Sequence, residues 1–233
     1  MLTVVMLNWA RPNFALRNMH LYASYKLVKH IVCFNNGAPF VDPKDLPRKC
    51  VLVEASADLG LTSRLAAASL ANTEAVFHTD DDIAVPERTV QALYQRWANG
   101  KLSCHGLYGR IAYPTYRYGN VFGMVEVVLT RAVVCSLRVN NLALSVTDLF
   151  TDLSGKPKGN GEDIILSFAG LAASRKPNIA YPFTAMNYPA CDGVAIHKRW
   201  TGHLEHRKRV VSRCREVFFG HAARNMTYAY GNS

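Results

Sequence analysis

The sequence predicts an α/β fold: a mainly parallel sheet flanked by helices, followed by an α+β half. Three observations predict it. Short β-branched apolar runs alternate with segments of helical period up to about residue 104, and each run closes on turn-forming residues. Beyond that point the alternation gives way to strand-like stretches separated by tyrosine-rich turns. With 233 residues, 49% of them apolar, the chain can bury a large core, and one domain over 1–233 is expected, with halves of about 1–104 and 105–233.

The elements follow in order. "LTVVMLNW" (2–9) reads as a strand, and "NFALRNMHLYASYKL" follows as a helix with Leu16, Met19, Ala23 and Leu27 on one face. "HIVCFNNG" is a second strand closed by a turn. After the proline-bearing loop "GAPFVDPKDLPRK", "CVLVEAS" is a third strand and "LTSRLAAASLAN" (61–72) a helix. "EAVFHTD" is the fourth strand, and "VPERTVQALYQRWANG" a helix with Pro86 near its first turn, Val90, Leu93, Tyr94 and Trp97 on one face, and Gly100 at its end. The later half holds the strand-like "HGLYGRIAYP" and "VFGMVEVVLT", then the polar loop "TDLSGKPKGNG" running into "EDIILSFAGLAASRKP", where Ile165, Phe168, Ala169 and Ala172 suggest a buried helix face.

Composition narrows the classes. No apolar run of about eighteen residues is present and the first residues lack a secretion-signal pattern, so the chain is expected to be soluble, either cytoplasmic or a lumenal catalytic domain lacking its anchor. Six cysteines without C-x-x-C spacing argue against a zinc site, and Cys33 and Cys135 fall in apolar strand-like runs. The net charge of +10, with basic residues crowded into "HKRWTGHLEHRKRVVSRCREVFFGHAAR", favours an anionic partner and permits peripheral contact with an acidic membrane surface. One glycosylation sequon lies at Asn225–Thr227.

The chemistry concentrates in "FHTDDDIAVP" (77–86). Asp80, Asp81 and Asp82 repel one another unless a cation compensates them. At the carboxyl end of a sheet strand such a cluster suits Mg²⁺ or Mn²⁺, which take oxygen ligands and bridge to substrate phosphates. Asp81 or Asp82 could instead cap the helix that follows. A second pair, Glu162-Asp163, follows Gly159 and Gly161 and opens a helix. Two roles are open to it: complementing the helix dipole, or acting as acid, base or charge stabiliser beside a substrate.

Taken together, "LTVVMLNWARP", "VCFNNG", "LTSRLAAASLANTEAVFHTDDDIAVP" and "GNGEDIILSF" resemble the catalytic domain of the exostosin-like glycosyltransferases, family 64, in the same order over roughly residues 2–215. The resemblance implies a GT-A-like fold, with a nucleotide-binding half and an acceptor-side half. It also implies transfer of a sugar from a UDP-sugar donor to a glycan acceptor hydroxyl, with Mn²⁺ (or Mg²⁺) and retention of anomeric configuration; no nucleic-acid partner is expected. Carried over by position, Asp82 is the metal ligand, Asp80 and Asp81 support the ribose and the metal, and Arg11, Asn36 and Arg64 hold the uracil nucleotide. Asp163 lies near the anomeric carbon, and Arg110 resembles an arginine near the donor sugar. Of Arg207, Arg209 and Arg213, Arg209 is the expected active-site arginine.

The family's cysteine before the acidic pair is replaced here by Gly161, so no bridge to Cys214 is expected. Trp97 is read as core, whereas the aromatics at 113, 116 and 118 could stack on sugars. His203, Glu205 and His206 form a His-x-x-His on a basic helix, which reads as exposed rather than metal-binding. Two rivals remain at this stage. A nucleotidyltransferase would need a glycine-rich phosphate loop that the N-terminal region lacks; a non-catalytic polyanion- or glycan-binding module would show steep salt dependence and no metal requirement.

Overall fold

The computed structural model describes residues 1–37, 42–153, 159–189 and 201–220. Four strands, β1 (Leu2–Asn8), β2 (Val28–Asn35), β3 (Cys50–Glu54) and β4 (Ala75–Asp80), run parallel in the order β3-β2-β1-β4. All seven residues of β1 are buried. Val5 and Leu7 enter one core, and Leu2, Val4 and Met6 the other, as the two-residue period of a strand covered on both faces requires. The mixed β-branched runs of the sequence are therefore continuous because neither face meets water.

Helices α1 (Pro12–Ala23) and α3 (Glu87–Ala98) cover one face through Met19, Tyr22, Leu93 and Trp97. Pro12 opens α1 where a missing N–H costs nothing, and Glu87 sits in the first turn of α3, where a negative charge complements the helix dipole. The opposite face is covered by α2 (Ser63–Ala68), α4 (Leu137–Leu144), α5 (Glu162–Ser174) and α6 (His203–Phe219), through residues such as Leu65, Val139, Ile164, Phe168 and Val210. Helix α5 is buried on all sides over its first ten residues, Glu162 to Leu171. Its two leading carboxylates are thus carried into the interior.

The sheet does not stop near residue 104. Strand β10 (Ala132–Ser136) lies antiparallel between β4 and β6 (His105–Gly106), and β11 (Asn178–Ala180) and β8 (Gly123–Val125) extend it to eight strands. Two small ribbons complete the described strands. Strand β5 (Ile83–Ala84) pairs with β12 (Met186–Asn187), and β7 (Gly109–Arg110) with β9 (Val127–Val128).

Four elements differ from the sequence expectation. The stretch 105–114 is not one strand but β6 and β7, and 121–130 is β8 and β9, each divided between the main sheet and a ribbon. Glycines allow this close crossing: a Cβ on Gly106 would stand 2.4 Å from the carbonyl oxygen of Ala132, and one on Gly109 2.3 Å from that of Val121. The helix expected over 61–72 is only α2, because Ser69, Leu70 and Ala71 donate to carbonyls three residues back and tighten the chain out of the helix. Helix α4 was not anticipated; Ser136 ends β10 and caps it, its Oγ accepting from Val139 N at 3.1 Å.

Cys33, Cys104, Cys135 and Cys214 are buried free thiols. Cys191, the Asn225–Thr227 sequon and part of the basic run lie outside the described residues. No helix among the described residues is long and apolar enough to cross a membrane.

Candidate active site

Strands β2 and β3 lie on one side of β1 and β4 on the other, so the order of connection reverses between β1 and β4. Open α/β sheets bind ligands at such a point, outside the carboxyl ends of the strands. Here those ends carry Asn8 and Asp80. Asn8 fastens the rim: its Nδ2 donates to Asn35 Oδ1 at 2.8 Å, and its Oδ1 accepts from the Arg11 backbone N–H at 3.2 Å.

Arginines meet each aspartate of the turn. Arg64 donates through Nη2 to Asp80 Oδ1 at 2.7 Å and through Nη1 to the Thr130 carbonyl at 3.0 Å. Arg11 contacts Asp81 Oδ1 through Nη2 and Asp82 Oδ2 through Nη1, the latter at 2.6 Å. Arg131 reaches Asp82 Oδ1 at 3.5 Å. Burial alone would raise the Asp80 pKa, but the Arg64 guanidinium brings it below the ordinary carboxylate value. Asp81 behaves oppositely. Burial, joined by the charges of Asp80 and Asp82, pushes it up to about 7 against the pull of Arg11.

The turn is rigidly braced from behind. Asn18 Nδ2 donates to the carbonyls of Asp81 and Ile83, both at 2.9 Å, and its Oδ1 accepts from Tyr188 Oη at 2.8 Å. The backbone N–H of Tyr188 donates in turn to the Asp82 carbonyl at 2.8 Å. The 186–188 segment therefore clasps the acidic turn.

The second acidic pair is brought to the same place. Gly161, at φ 111°, starts α5, and a side chain there would press on Val210, its Cβ 3.0 Å from Val210 Cγ1. Asp163 is 4% exposed and its Oδ2 accepts from Arg207 Nη2 at 2.5 Å. Arg207 also lies 4.7 Å from the centre of the Tyr116 ring and donates to Asn160 Oδ1 at 3.4 Å. Burial opposes the charge of Arg207, yet Asp163 and its other neighbours hold its pKa above the ordinary value. Glu162 accepts from Thr130 Oγ1 at 2.9 Å, and its Oε1 is 3.8 Å from Arg64 Nε. Burial first, and then the charge of Asp163, push Glu162 up to about 7. Arg64 thus touches both acidic clusters, although Asp80 and Glu162 are 82 residues apart in the chain.

A glycosyl transferase family 64 domain matches residues 2–229. The chain belongs to this family. Sugar transfer is the family's general chemistry, and the family 64 chain has a GT-A-like fold. S. aureus TarS (residues 1–349, in complex with UDP-GlcNAc) is similar in structure with a TM-score of 0.58 at 10% identity. The alignment covers 91% of the family 64 chain and 66% of the TarS chain. Likeness at that identity concerns the fold alone. No curated protein sequence matches the chain.

Among the residues expected at the site, Arg11, Arg64, Asp80, Asp81, Asp82 and Asp163 surround the two linked clusters. Two expectations change. Arg209 is exposed on α6; Arg207, two residues earlier and so about 200° around the helix, is the arginine that pairs with Asp163. Asn36 is turned inward and buried. Its Nδ2 donates to Gly60 O and Ser63 Oγ at 2.9 and 3.0 Å, and its Oδ1 accepts from Leu59 N at 3.2 Å, so it shapes the 59–63 loop rather than presenting its amide to the crevice. Arg110 donates to its neighbour Gly109 O at 2.8 Å and contacts Asn120. Trp97 is core, as its helical spacing predicts.

Arg131, Thr130, Asn160 and Asn187 escaped the sequence reading. Arg131 had one usable signal, a lone cation inside the apolar run "VVLTRAVVC". The His-x-x-His is not exposed as expected: His206 is buried against the Asn160 carbonyl, which its Nε2 meets at 2.7 Å, and His203 stacks on Tyr118 at an interplanar angle of 8°. Among the described residues no group of three His, Cys, Asp or Glu is arranged to hold a metal unaided. The turn nevertheless fits a hard divalent ion: its donors are all oxygens, the Asp82 side chain is 25% exposed, and its Oδ1 meets only the long Arg131 contact. One rim carboxylate completed by phosphate oxygens and water is the usual way Mg²⁺ or Mn²⁺ is held beside a nucleotide.

Proposed function

We propose that this domain is an exostosin-like glycosyltransferase that moves a sugar from a UDP-sugar to a glycan hydroxyl with retention of configuration. One observation carries the reading: Arg64 pairs with Asp80 at 2.7 Å and reaches Glu162 at 3.8 Å, so one side chain links the two acidic clusters in a family 64 domain. The UDP-GlcNAc held by TarS, on the same fold, supports a nucleotide-sugar donor.

In this reading Asp82 holds a Mn²⁺ or Mg²⁺ ion, which when bound would neutralise the leaving diphosphate. Arg11 and Arg64 fix the aspartates in place, Arg64 keeping Asp80 ionised. Asp163, oriented by Arg207, presents negative charge where positive charge develops on the sugar as the bond to phosphate lengthens. Tyr116 backs Arg207, and Asn36 supports the uracil side by ordering the 59–63 loop.

Calorimetric titration with UDP tests the donor half of this mechanism. Mn²⁺ should strengthen UDP binding at least about tenfold, and Asp82→Asn should remove that gain while the far-ultraviolet spectrum stays unchanged. A folded Asp82→Asn protein with undiminished Mn²⁺-dependent binding would overturn the assignment of the turn.

A further inference from the structure

Three guanidiniums meet the Asp80–Asp82 turn, and they are not equivalent. Arg64 is buried and bonded to both a carboxylate and the chain, while Arg11 makes short bonds to Asp81 and Asp82. Arg131 is the loosely committed one. Its side chain is 32% exposed, its contact with Asp82 is 3.5 Å long, and its short bond runs from Nη2 to Asn187 Oδ1 at 2.9 Å. Both bonds use the same nitrogen. Nε is shielded from solvent and has no hydrogen-bond partner among the described residues.

Its position is nonetheless fixed. The guanidinium carbon lies 5.3 Å from the centre of the Tyr108 ring, a cation–π contact that holds the side chain along the rim. The backbone is anchored too, since Asp80 N donates to the Arg131 carbonyl at 3.3 Å where β10 begins beside β4. The preceding residue, Thr130, bonds Glu162. Arg131 therefore stands where the aspartate turn meets the second carboxylate pair.

Charge decides what such a group is for. Among the described residues each of the three guanidiniums at the turn is engaged by an aspartate, so an incoming diphosphate gains a direct arginine bond there only if one of them exchanges its carboxylate for phosphate. The arginine with the weakest carboxylate bond exchanges most easily, and a planar fork pre-oriented at the rim suits bidentate bonding to phosphate oxygens. We propose that Arg131 binds the diphosphate of the sugar donor directly, giving up its long contact with Asp82 and sustaining nucleotide binding without a divalent ion. This rests on the nucleotide-sugar reading above.

Titration calorimetry with UDP and with UMP, each in Mn²⁺ and in EDTA, tests it on the whole chain. The unmodified protein should keep measurable UDP affinity in EDTA, and Arg131→Gln should weaken it by about tenfold or more, the scale of a hydrogen bond to a charged group. The loss should be smaller for UMP than for UDP, and Arg131→Lys should fall between the two, keeping charge without the fork. A folded Arg131→Gln protein that matches the unmodified one in EDTA would overturn the proposal, as would equal losses for UMP and UDP, or UDP binding that vanishes entirely in EDTA. Absence of UDP binding in both buffers would instead overturn the donor reading, and this inference with it.

Discussion

The two acidic clusters solve the same electrostatic problem in opposite ways. At the strand end, Asp80, Asp81 and Asp82 face Arg11, Arg64 and Arg131, with Asp82 partly open to water. At the start of α5, Asp163 pairs with Arg207 at 2.5 Å, Glu162 meets Arg64 at the longer distance of 3.8 Å, and both carboxylates are buried. Burial first, and then the charge of Asp163, lift Glu162 to about 7, so this cluster keeps a proton where the turn relies on arginines. A partly open turn held by arginines can exchange partners with an anion, whereas the buried pair limits its charge by pairing Asp163 with Arg207 and keeping a proton on Glu162.

The sharpest way to break the comparison is to remove the arginine of the buried cluster. Arg207→Ala should destabilise the fold by about 3–5 kcal/mol, because it strands Asp163 as an unpaired buried charge. Arg209→Ala, on the exposed face of the same helix, should change stability by less than about 0.5 kcal/mol. Urea unfolding of both variants checks this, and equal effects would return the role to Arg209.

Asp163→Asn probes chemistry rather than folding. Its amide oxygen can still accept from Arg207, so the protein should remain folded and bind UDP nearly as before. Turnover should drop by roughly two orders of magnitude, about 3 kcal/mol, as when one well-placed electrostatic group is removed. A first-turn acid that only complements the helix dipole contributes at most about 1 kcal/mol to stability and nothing to turnover. Near-normal turnover with a slightly lowered melting temperature would reduce Asp163 to that role.

The smallest effect concerns the buried proton. The folded pKa of Glu162, about 7, lies above its ordinary 4.5, so between those values the folded state holds a proton that the unfolded chain releases. Glu162's contribution is fully present below pH 4.5 and is lost as pH rises to about 7. Glu162→Gln should match the unmodified protein at pH 4.5 and exceed it at pH 8 by on the order of 1–3 kcal/mol. Thermal melts across this range read the difference, and parallel pH curves for the two proteins would show that Glu162 carries no excess negative charge.

Much of the first half was legible because its signals are local. The apolar runs at 2–9 and 74–80, the proline before α3 and the order of strands and helices each follow from residues a few positions apart. The aspartate triplet announces itself for the same reason, as adjacent like charges need an explanation on any fold. The second half is less readable because its strands are short and divided by close backbone crossings, Gly106 against Ala132 and Gly109 against Val121, 26 and 12 positions away.

The layer type, the two acidic motifs and the family follow from residues that are neighbours in the chain. Which arginine serves which carboxylate was decided only by the tertiary structure. Arg207 and Arg209 lie two residues apart in a basic run, and composition cannot rank them; the helical turn of about 100° per residue sends one into the α5 interface and the other into water. Arg131 follows the same logic. It looks like a stray cation in an apolar run until antiparallel pairing of β10 with β4 sets Ala132 opposite Thr79 and so brings Arg131 beside the aspartates. Coulomb interactions depend on distance in space, and for residues 50 positions apart the chain acquires that distance only when the sheet register forms.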